Sequence, residues 1–389
     1  MKNIKSIILL IFFISIYLLK SENNNEINFN KLKFIANLEI DSNSNFNPFS
    51  FELVDNKNLL YTLDLINNKI NIFNLIDGKL TLTLKEFDEI KYFYNKKEEN
   101  LWENTKPNCT YLGLFKDVYN SKIFIIAGTK KKVGVKPILD TVSGLLDTAI
   151  MISKPLLFFE LNTDTLLCIK EFKSVSNYFT GYDACKFKNK ILVENTQLNN
   201  DHKLIFWDLV SNKEIPCLIY AELENFLNYK FDKHFSGLFE NIDENNIIYY
   251  SIPNIPPLKI NIYNKNSSFT PFNYDGIFKY VQNIYYLKNN KFSNFQFMDS
   301  IYTYYFQACK FYKDKILFLI NKYDKENKIV GFYVQTYNKE LFFKKEIYIP
   351  ILSNNRVDIV NFIGTYKKMF LIMIKTNGIY KILDISKFI

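Results

Sequence analysis

The chain has 389 residues, enough for one large domain or two ordinary ones, and 48% of them are hydrophobic. The formal net charge is +9, but Arg356 is the only arginine and the lysines are scattered singly along the chain. A nucleic-acid-binding surface typically has a basic stripe with arginines for bidentate contacts, so composition argues against a nucleic-acid partner.

The N-terminus has the pattern of a secretory signal peptide. A positively charged start, MKNIKS, precedes an uncharged apolar run of 13 residues, Ile7 to Leu19, and a small residue for cleavage at Ser21. A run of this length is too short to cross a bilayer of about 30 Å. We therefore predict that residues 1–21 are removed, the alternative being an uncleaved membrane anchor.

The remainder, residues 22–389, is predicted to be a single domain. No later apolar run is long enough for a membrane span, so we predict no transmembrane segment after cleavage. The protein is expected to be secreted or to reside in a lumen of the secretory pathway. Asn108 and Asn266 begin glycosylation sequons, as such a location would allow.

A loop after the first predicted strand has a partial calcium-loop spacing. In DSNSNFNPFSFE, Asp41, Asn43, Asn45 and Glu52 fall at positions 1, 3, 5 and 12 of a calcium loop. Phe46 stands where the glycine of such a loop is required, and strands rather than helices are predicted on both sides. A solvated polar loop is therefore the favoured interpretation.

One phrase occurs twice, about 124 residues apart, as ACKFKNKIL (184–192) and ACKFYKDKIL (308–317). Each copy has the pattern of a β-hairpin, with a short apolar strand, a polar turn and a second strand rich in β-forming residues. The second strand recurs six times, at intervals of about 62 residues. The six copies begin at Asn58, Lys122, Lys190, Asn246, Lys315 and Lys368.

A third apolar strand follows each copy, and several copies continue into a turn and a fourth strand. The third strands are predicted at residues 70–75, 156–161, 204–209, 258–263, 330–335 and 379–385. Almost no helical periodicity competes with this pattern.

A fixed period of about four short strands is typical of a β-propeller. HKLIFWDLVSNKE (202–214) resembles the third strand and turn of a WD40 repeat, although the repeats here are longer and lack the Gly-His dipeptide of that family. We therefore predict an all-β fold, a six-bladed β-propeller with WD40-like blades. Two packed β-sandwiches are the main alternative.

The two ends of the chain complement each other. KLKFIANLEI (31–40) is a predicted strand without a hairpin partner, and the last repeat ends one strand short. Pairing the N-terminal strand into the last repeat would close the ring and hide two sheet edges. We predict this closure.

The segment between the second and third strands of the second repeat has helical spacing. Its apolar positions are Ile138, Val142, Leu145, Leu146, Ala149 and Ile150. We predict a short helical insertion in blade two, which either packs on its own blade or docks onto a partner. Leu145, Leu146 and Ile150 are then candidate partner contacts.

Aromatic residues are concentrated in IYTYYFQACKFY (301–312). Tyr302, Tyr304 and Tyr305 lie on a strand predicted to line the channel, and neighbouring residues of a strand point to opposite faces. They therefore cannot all enter one core. Those that are exposed are candidate partner contacts, because tyrosine buries a large area at small entropy cost.

The five cysteines allow at most two disulfides. Cys168 and Cys217 are the best candidates, since each follows a third strand in adjacent repeats. Cys185 and Cys309 occupy equivalent strands two repeats apart, too far around a ring to bond.

Motifs for catalysis or cofactor binding are missing from the sequence, so we predict no catalytic residue, no metal ligand and no cofactor. There is no GxSxG, HExxH, P-loop or GxGxxG, and the two histidines, His202 and His234, lie in polar surroundings or beside aromatic residues. A single arginine cannot form the cluster with which sialidase-type propellers hold a carboxylate.

Two function classes remain. The first is a non-enzymatic protein-interaction or adhesion module, with a protein partner. A signal peptide, propeller-like repeats and a composition rich in Asn, Lys and Ile resemble secreted proteins of apicomplexan parasites, and the fold class is similar to the cysteine-rich protective antigen of their invasion complexes. The second is a calcium-dependent propeller hydrolase of the lactonase kind, which acidic side chains converging on the channel mouth would favour.

Overall fold

The computed structural model describes the chain in segments. These are residues 26–40, 46, 48–84, 109–116, 122–129, 131–139, 146–153, 156–161, 168–173, 184–187, 189–196, 202–208, 210–211, 213–216, 238–251, 255–261, 270–271, 282–288, 291–298, 301–351 and 356–389. The predicted signal peptide, residues 1–21, lies outside them, and in the described part no helix is long and apolar enough to span a bilayer.

The described residues form an all-β, propeller-like architecture of antiparallel sheets. The first sheet contains β2 (Pro48–Val54), β3 (Leu59–Asp64), β4 (Lys69–Asn74) and β5 (Leu80–Leu84). The second contains β6 (Cys109–Lys116), β7 (Ile123–Thr129), β10 (Leu156–Leu161) and β11 (Cys168–Lys173). The third contains β12 (Ala184–Phe187), β13 (Lys190–Thr196), β14 (His202–Asp208) and β15 (Lys213–Pro216). The fourth contains β16 (Leu238–Asn241), β17 (Asn246–Ser251), β18 (Ile255–Asn261) and β19 (Thr270–Pro271).

The last two sheets depart from this simple order. The fifth has six strands, β20 (Gln282–Lys288), β21 (Lys291–Met298), β22 (Thr303–Tyr312), β23 (Lys315–Tyr323), β24 (Ile329–Asn338) and β25 (Phe343–Pro350). The sixth contains β26 (Val357–Tyr366), β27 (Met369–Thr376) and β28 (Ile379–Asp384), with β1 (Lys33–Leu38) as its fourth strand. A separate pair consists of β8 (Lys131–Leu139) and β9 (Leu146–Ser153). Two single-turn 3₁₀ helices, Phe29–Lys31 and Asp55–Lys57, precede β1 and β3.

The repeated phrase forms a hairpin in both places, as predicted. In the second copy Tyr312 pairs with Lys315 across a two-residue turn, and both turn residues, Lys313 and Asp314, have positive φ. Such turns match the right-handed twist of the strands that they join. In the first copy Phe187 pairs with Lys190 in the same way.

One strand of each of these six sheets contacts strands of the neighbouring sheets and is called here the inner strand. The inner strands are β2, β6, β12, β16, β22 and β26. Each inner strand contacts the next one in this series, and β26 contacts β2. The inner strands therefore surround a common centre, while later strands of each sheet lie farther out. Cys185 and Cys309 are buried on β12 and β22, which contact other inner strands.

The N-terminal segment joins three sheets. Ile27 donates its backbone N–H to Tyr348 of β25, at 2.8 Å, and β1 then pairs antiparallel with β28, as predicted. Glu39, just beyond β1, donates its N–H to the carbonyl of Gly78 in the first sheet, at 2.9 Å. This segment covers the edge strand that the sixth sheet would otherwise expose.

The predicted helical insertion is wrong. Residues 131–139 and 146–153 form the antiparallel strands β8 and β9, with Lys131 opposite Ser153 and Leu139 opposite Leu146. Both segments contain β-branched residues at alternating positions, as in KVGV and AIMI, and cross-strand pairing outweighs the helical spacing of the apolar residues. Gly144 in the intervening stretch lowers helix propensity further.

The cores lie between neighbouring sheets. One cluster joins β23, β24 and β25 to the sixth sheet, and includes the fully buried residues Leu317, Phe332 and Ile372. Another joins the sixth sheet to the first, through Leu60, Met373 and Ile382. Packing between sheets therefore holds the inner strands in place around the centre.

Candidate functional site: the central cavity

The inner strands enclose a cavity of about 620 Å³, called here the central cavity. Every inner strand contributes to its lining, which includes Glu52, Lys116, Cys185, Glu240, Lys310 and Thr365. A volume of this size lies in the range of small-molecule sites. The side chains that carry chemistry here come from strands far apart in sequence.

A salt bridge crosses from the fourth sheet to the fifth. Lys310 Nζ lies 3.3 Å from Glu240 Oε2, and the two side chains are mostly buried. The backbone N–H of Phe311 donates to the other carboxylate oxygen, Glu240 Oε1, at 2.8 Å. Glu240 therefore has partners at both oxygens and neutralises Lys310.

A second set of contacts joins the first sheet to the second. Lys116 Nζ donates to the carbonyl of Leu53, at 2.7 Å, and Ser50 Oγ donates to the carbonyl of Leu114, at 3.1 Å. The first bond places the Lys116 ammonium one residue from Glu52 along β2. Among the described residues, Glu52 forms no direct salt bridge.

Burial raises the pKa of both carboxyl groups. The pKa of Glu52 rises to about 7 because burial disfavours its charged form, an effect that Lys310 and Lys116 oppose and Glu240 reinforces. Burial also raises the pKa of Glu240, against the opposing effects of Lys310 and the Phe311 N–H. Glu52 therefore changes protonation near neutral pH.

Two amide oxygens at the cavity are buried without a hydrogen-bond partner. They are Asn241 Oδ1, beside Glu240 on β16, and Asn321 Oδ1 on β23. Asn321 is only 1% exposed, and its amide nitrogen donates to the Val360 carbonyl at 3.4 Å. Buried acceptors of this kind cost free energy unless a donor reaches them.

The described part of the chain contains no preformed metal site. No group of three or more His, Cys, Asp or Glu side chains there could hold a metal ion. Of the partial calcium loop, Asp41, Asn43 and Asn45 lie outside the described residues, and Glu52 lies on β2 facing the cavity. The calcium-dependent hydrolase stays an untested alternative.

A second feature recurs at the turns between the third and fourth strands, called here the outer turns. Three of them are described, and each exposes one large apolar residue: Ile76 is 67% exposed, Val210 77% and Phe342 63%. A side-chain oxygen at the start of each turn fixes its backbone. The N–H groups of Ile76, Val210 and Phe342 donate to Asn74, Asp208 and Asn338 at 2.9, 2.8 and 2.8 Å.

The predicted aromatic contacts are divided between two environments. Tyr304 is buried, 2% exposed, and its ring centroid lies 6.2 Å from that of Tyr333, so it packs inside the protein rather than presenting itself to a partner. Tyr302 and Tyr305 are half-buried. Tyr302 lies under the Lys322 ammonium, 3.8 Å from its ring centroid, and Tyr305 packs edge-on against Tyr323. The alternation of faces along β22 separates Tyr304 from Tyr305, whereas Tyr302 precedes the strand.

Other predicted site residues are placed only in part. Leu146 and Ile150 lie on β9 rather than on a helix, and Cys168 begins β11. Leu145, Cys217, Asn108 and Asn266 lie outside the described residues. The disulfide, the sequons and the partner contacts at β9 stay predictions.

Sequence reasoning missed the charged cluster of the central cavity. One signal was available, because single charged residues interrupt otherwise apolar inner strands, as in FELV around Glu52, LFEN around Glu240 and GLFK before Lys116. A charge in such a position needs a partner or a cavity. Which strands would meet was not readable from the sequence.

Solved structures resemble the chain in backbone fold only, at low sequence identity. No family model matches it, and no curated protein matches. Among solved structures, a member of the DUF4221 family from Bacteroides vulgatus has 10% identity and a TM-score of 0.47, with 90% of this chain and 95% of that chain covered. The Cps50 (Swd1) β-propeller domain from Myceliophteria thermophila has 7% identity and a TM-score of 0.42, with 91% and 99% covered. A luciferin-regenerating enzyme has 6% identity and a TM-score of 0.43, with 91% and 94% covered. Such low identities bear on neither activity nor partner.

Proposed function

We propose that this protein is a secreted, non-enzymatic six-bladed β-propeller that binds a protein partner. Six sheets whose inner strands contact one another in a closed series support the blade count. The apolar run at Ile7 to Leu19 supports secretion.

The outer turns carry the proposal. Chain reversals usually contain polar residues, and Ile76, Val210 and Phe342 contribute nothing to the folded core in their exposed positions. Recurrence at the same turn of three sheets argues for a shared role, since scattered single apolar residues need no explanation. In a propeller, equivalent turns of successive blades lie on one face.

Binding through these turns is favourable because they are already ordered. Hydrogen bonds from backbone N–H groups to the side-chain oxygens of Asn74, Asp208 and Asn338 fix each turn, so little conformational entropy is lost on association. Burial of one large apolar side chain contributes about 1.5–3 kcal/mol. The anchors lie on three different sheets, so the partner must cover a broad face, as a folded protein does.

The test compares two triple variants of the tagged, secreted protein. Ile76→Ser, Val210→Ser and Phe342→Ser remove the outer-turn anchors. The control set, Ile66→Ser, Ile301→Ser and Ile379→Ser, removes residues of 62, 54 and 48% exposure at the opposite ends of their sheets. We expect the wild type and the control to retain one stoichiometric protein in affinity capture, and the outer-turn variant to lose it.

Cross-linking with mass spectrometry then locates the interface. Cross-links from the partner to lysines of the outer turns, such as Lys79 and Lys339, are expected. Equal capture by both triple variants would show that another surface binds, with β9 and Tyr302 as the remaining candidates. Isolation as a monomer with metal-dependent hydrolase activity would instead favour the enzymatic alternative.

A further inference from the structure

We propose that the central cavity binds a small zwitterion of the amino-acid class, with its ammonium at Glu52 and Asn241 and its carboxylate at Lys116. This site is separate from the outer turns and does not depend on the protein partner. Its evidence is the balance of charge, the unpartnered acceptors and the shape of the cavity.

The charges leave one opposite pair available to a ligand. Glu240 contacts Lys310 at 3.3 Å, whereas Glu52 has no direct ammonium partner among the described residues, although Lys310 and Lys116 both act on it electrostatically. The Lys116 ammonium spends one of its three donors on the Leu53 carbonyl, so two remain. A negative and a positive group on adjacent inner strands match the separated charges of a zwitterion.

The hydrogen-bonding inventory favours a ligand with several donors. Asn241 Oδ1 and Asn321 Oδ1 are buried acceptors without partners in the described part of the chain, where the Glu52 carboxylate accepts from the backbone of Lys116. An ammonium group has three donors and no acceptor, so it satisfies such groups better than a hydroxyl does. The buried acceptors thereby become part of a binding site.

The remaining walls of the cavity are apolar. Phe115, Phe239 and Phe311 line it together with Leu114, and the volume of about 620 Å³ leaves room beyond the charged groups. An aromatic or branched side chain on the ligand would bury its surface there. We therefore infer an amino acid with a large apolar side chain.

Three related probes separate the two halves of the site. Phenylalanine carries both charges, phenethylamine lacks the carboxylate, and 3-phenylpropanoate lacks the ammonium. With calorimetry on the mature chain, residues 22–389, phenylalanine should bind at least ~10-fold more tightly than either analogue, because each analogue loses a charge-assisted contact. Absence of binding by all three probes at ~10 mM would overturn the proposal.

Two substitutions assign the groups. Glu52→Gln should weaken phenylalanine and phenethylamine at least ~10-fold and leave 3-phenylpropanoate unchanged. Lys116→Met should weaken phenylalanine and 3-phenylpropanoate at least ~10-fold and leave phenethylamine unchanged. Glu326→Gln, which removes an exposed carboxylate paired with Lys328, is the matched control and should change nothing. Equal affinity of wild type and both cavity variants for phenylalanine would contradict the assignment.

Proton release can be measured on the wild-type protein, so this test does not depend on how well the variants fold. Binding of an ammonium at Glu52 favours its charged form, so complex formation below pH 7 should release a proton to the buffer. The heat of phenylalanine binding at pH 6 should then depend on the ionisation enthalpy of the buffer. Heats that are identical in all buffers would place the ammonium elsewhere and overturn the proposal.

Discussion

The first and the sixth sheets have the same four-stranded design but are assembled differently. The first is a simple meander of β2 to β5, within residues 48–84. The sixth takes three strands from residues 357–384 and its fourth, β1, from residues 33–38. One sheet therefore forms from local pairing alone, whereas the other requires the two ends of the chain to meet.

Both sheets meet at the junction that joins the end of the chain to its beginning. Tyr366 donates its hydroxyl to Asn58 Oδ1, at 2.6 Å, and Tyr380 donates to the Phe46 carbonyl. Gly78 packs so closely on Asn37 that an added Cβ would lie 1.7 Å from its carbonyl oxygen. The contrast suggests that the sixth sheet is more vulnerable to changes at the N-terminus than its own sequence indicates.

The largest effect is expected from deleting residues 30–40. This deletion removes β1, exposes the edge of β28 and opens the contact with Gly78. We expect the protein to aggregate or to be retained in the cell, as measured by secretion yield and size-exclusion chromatography. A soluble product with an unchanged melting temperature would show that the sixth sheet does not need its distant strand.

A smaller but specific loss should follow Gly78→Ala. Gly78 has φ +77°, and its Cβ would collide with the Asn37 backbone, so strain and displacement of β1 together should cost about 2–5 kcal/mol. Chemical denaturation measures this cost. Gly378→Ala is the control, because Gly378 has φ +81° with no atom within 4 Å of the added Cβ. It should cost only about 1–2 kcal/mol, and equal losses would mean that backbone strain alone explains both.

Stability should fall as the pH rises because Glu52, on the inner strand of the first sheet, ionises in a buried position. The pKa of Glu52 is raised from 4.5 to about 7 in the folded state, so its contribution is complete below pH 4.5 and is lost as the pH rises through 7. This loss amounts to up to about 3 kcal/mol, and the raised pKa of Glu240 acts in the same direction.

Unfolding in urea at pH 5 and pH 8 measures this difference. Glu52→Gln should reduce the difference by about 2–3 kcal/mol, because the neutral amide cannot ionise. On the inner strand of the sixth sheet, Asp358→Asn serves as the control and should leave the difference in place, since Asp358 is exposed beside Arg356. A wild type with equal stability at both pH values would contradict the burial of Glu52.

The smallest effect is expected at single hydrogen bonds between sheets. Tyr366→Phe removes the bond to Asn58 and should cost about 1 kcal/mol. Tyr312→Phe removes a bond of the same length, 2.6 Å, to the Lys368 carbonyl, between the fifth and sixth sheets. Equal losses in thermal denaturation are expected from the two variants. A much larger loss for Tyr366→Phe would mean that the junction of the chain ends is more cooperative than an ordinary one.

The sequence by itself determined the repeated strands and the need for a distant partner. Runs such as KILFLIN and KIFIIAG are β-branched and apolar, and strand formation depends mainly on such local patterns. The unpaired strand at residues 31–40 and the incomplete last repeat also predicted the pairing of β1 with β28. A count of strands suffices for that prediction, because the last repeat lacks one strand and the N-terminal strand lacks a hairpin partner.

Only the tertiary structure decided what the strands bring together. Residues 138–152 have helical spacing, yet pairing between β8 and β9 prevails, since hydrogen bonds to another strand are not visible in local periodicity. Glu52, Lys116, Glu240 and Lys310 are single charges on four separate strands, and local sequence does not show that they lie close together. They form a buried cluster because the sheets pack around one centre, where burial raises the pKa of Glu52 and favours the pairing of Lys310 with Glu240.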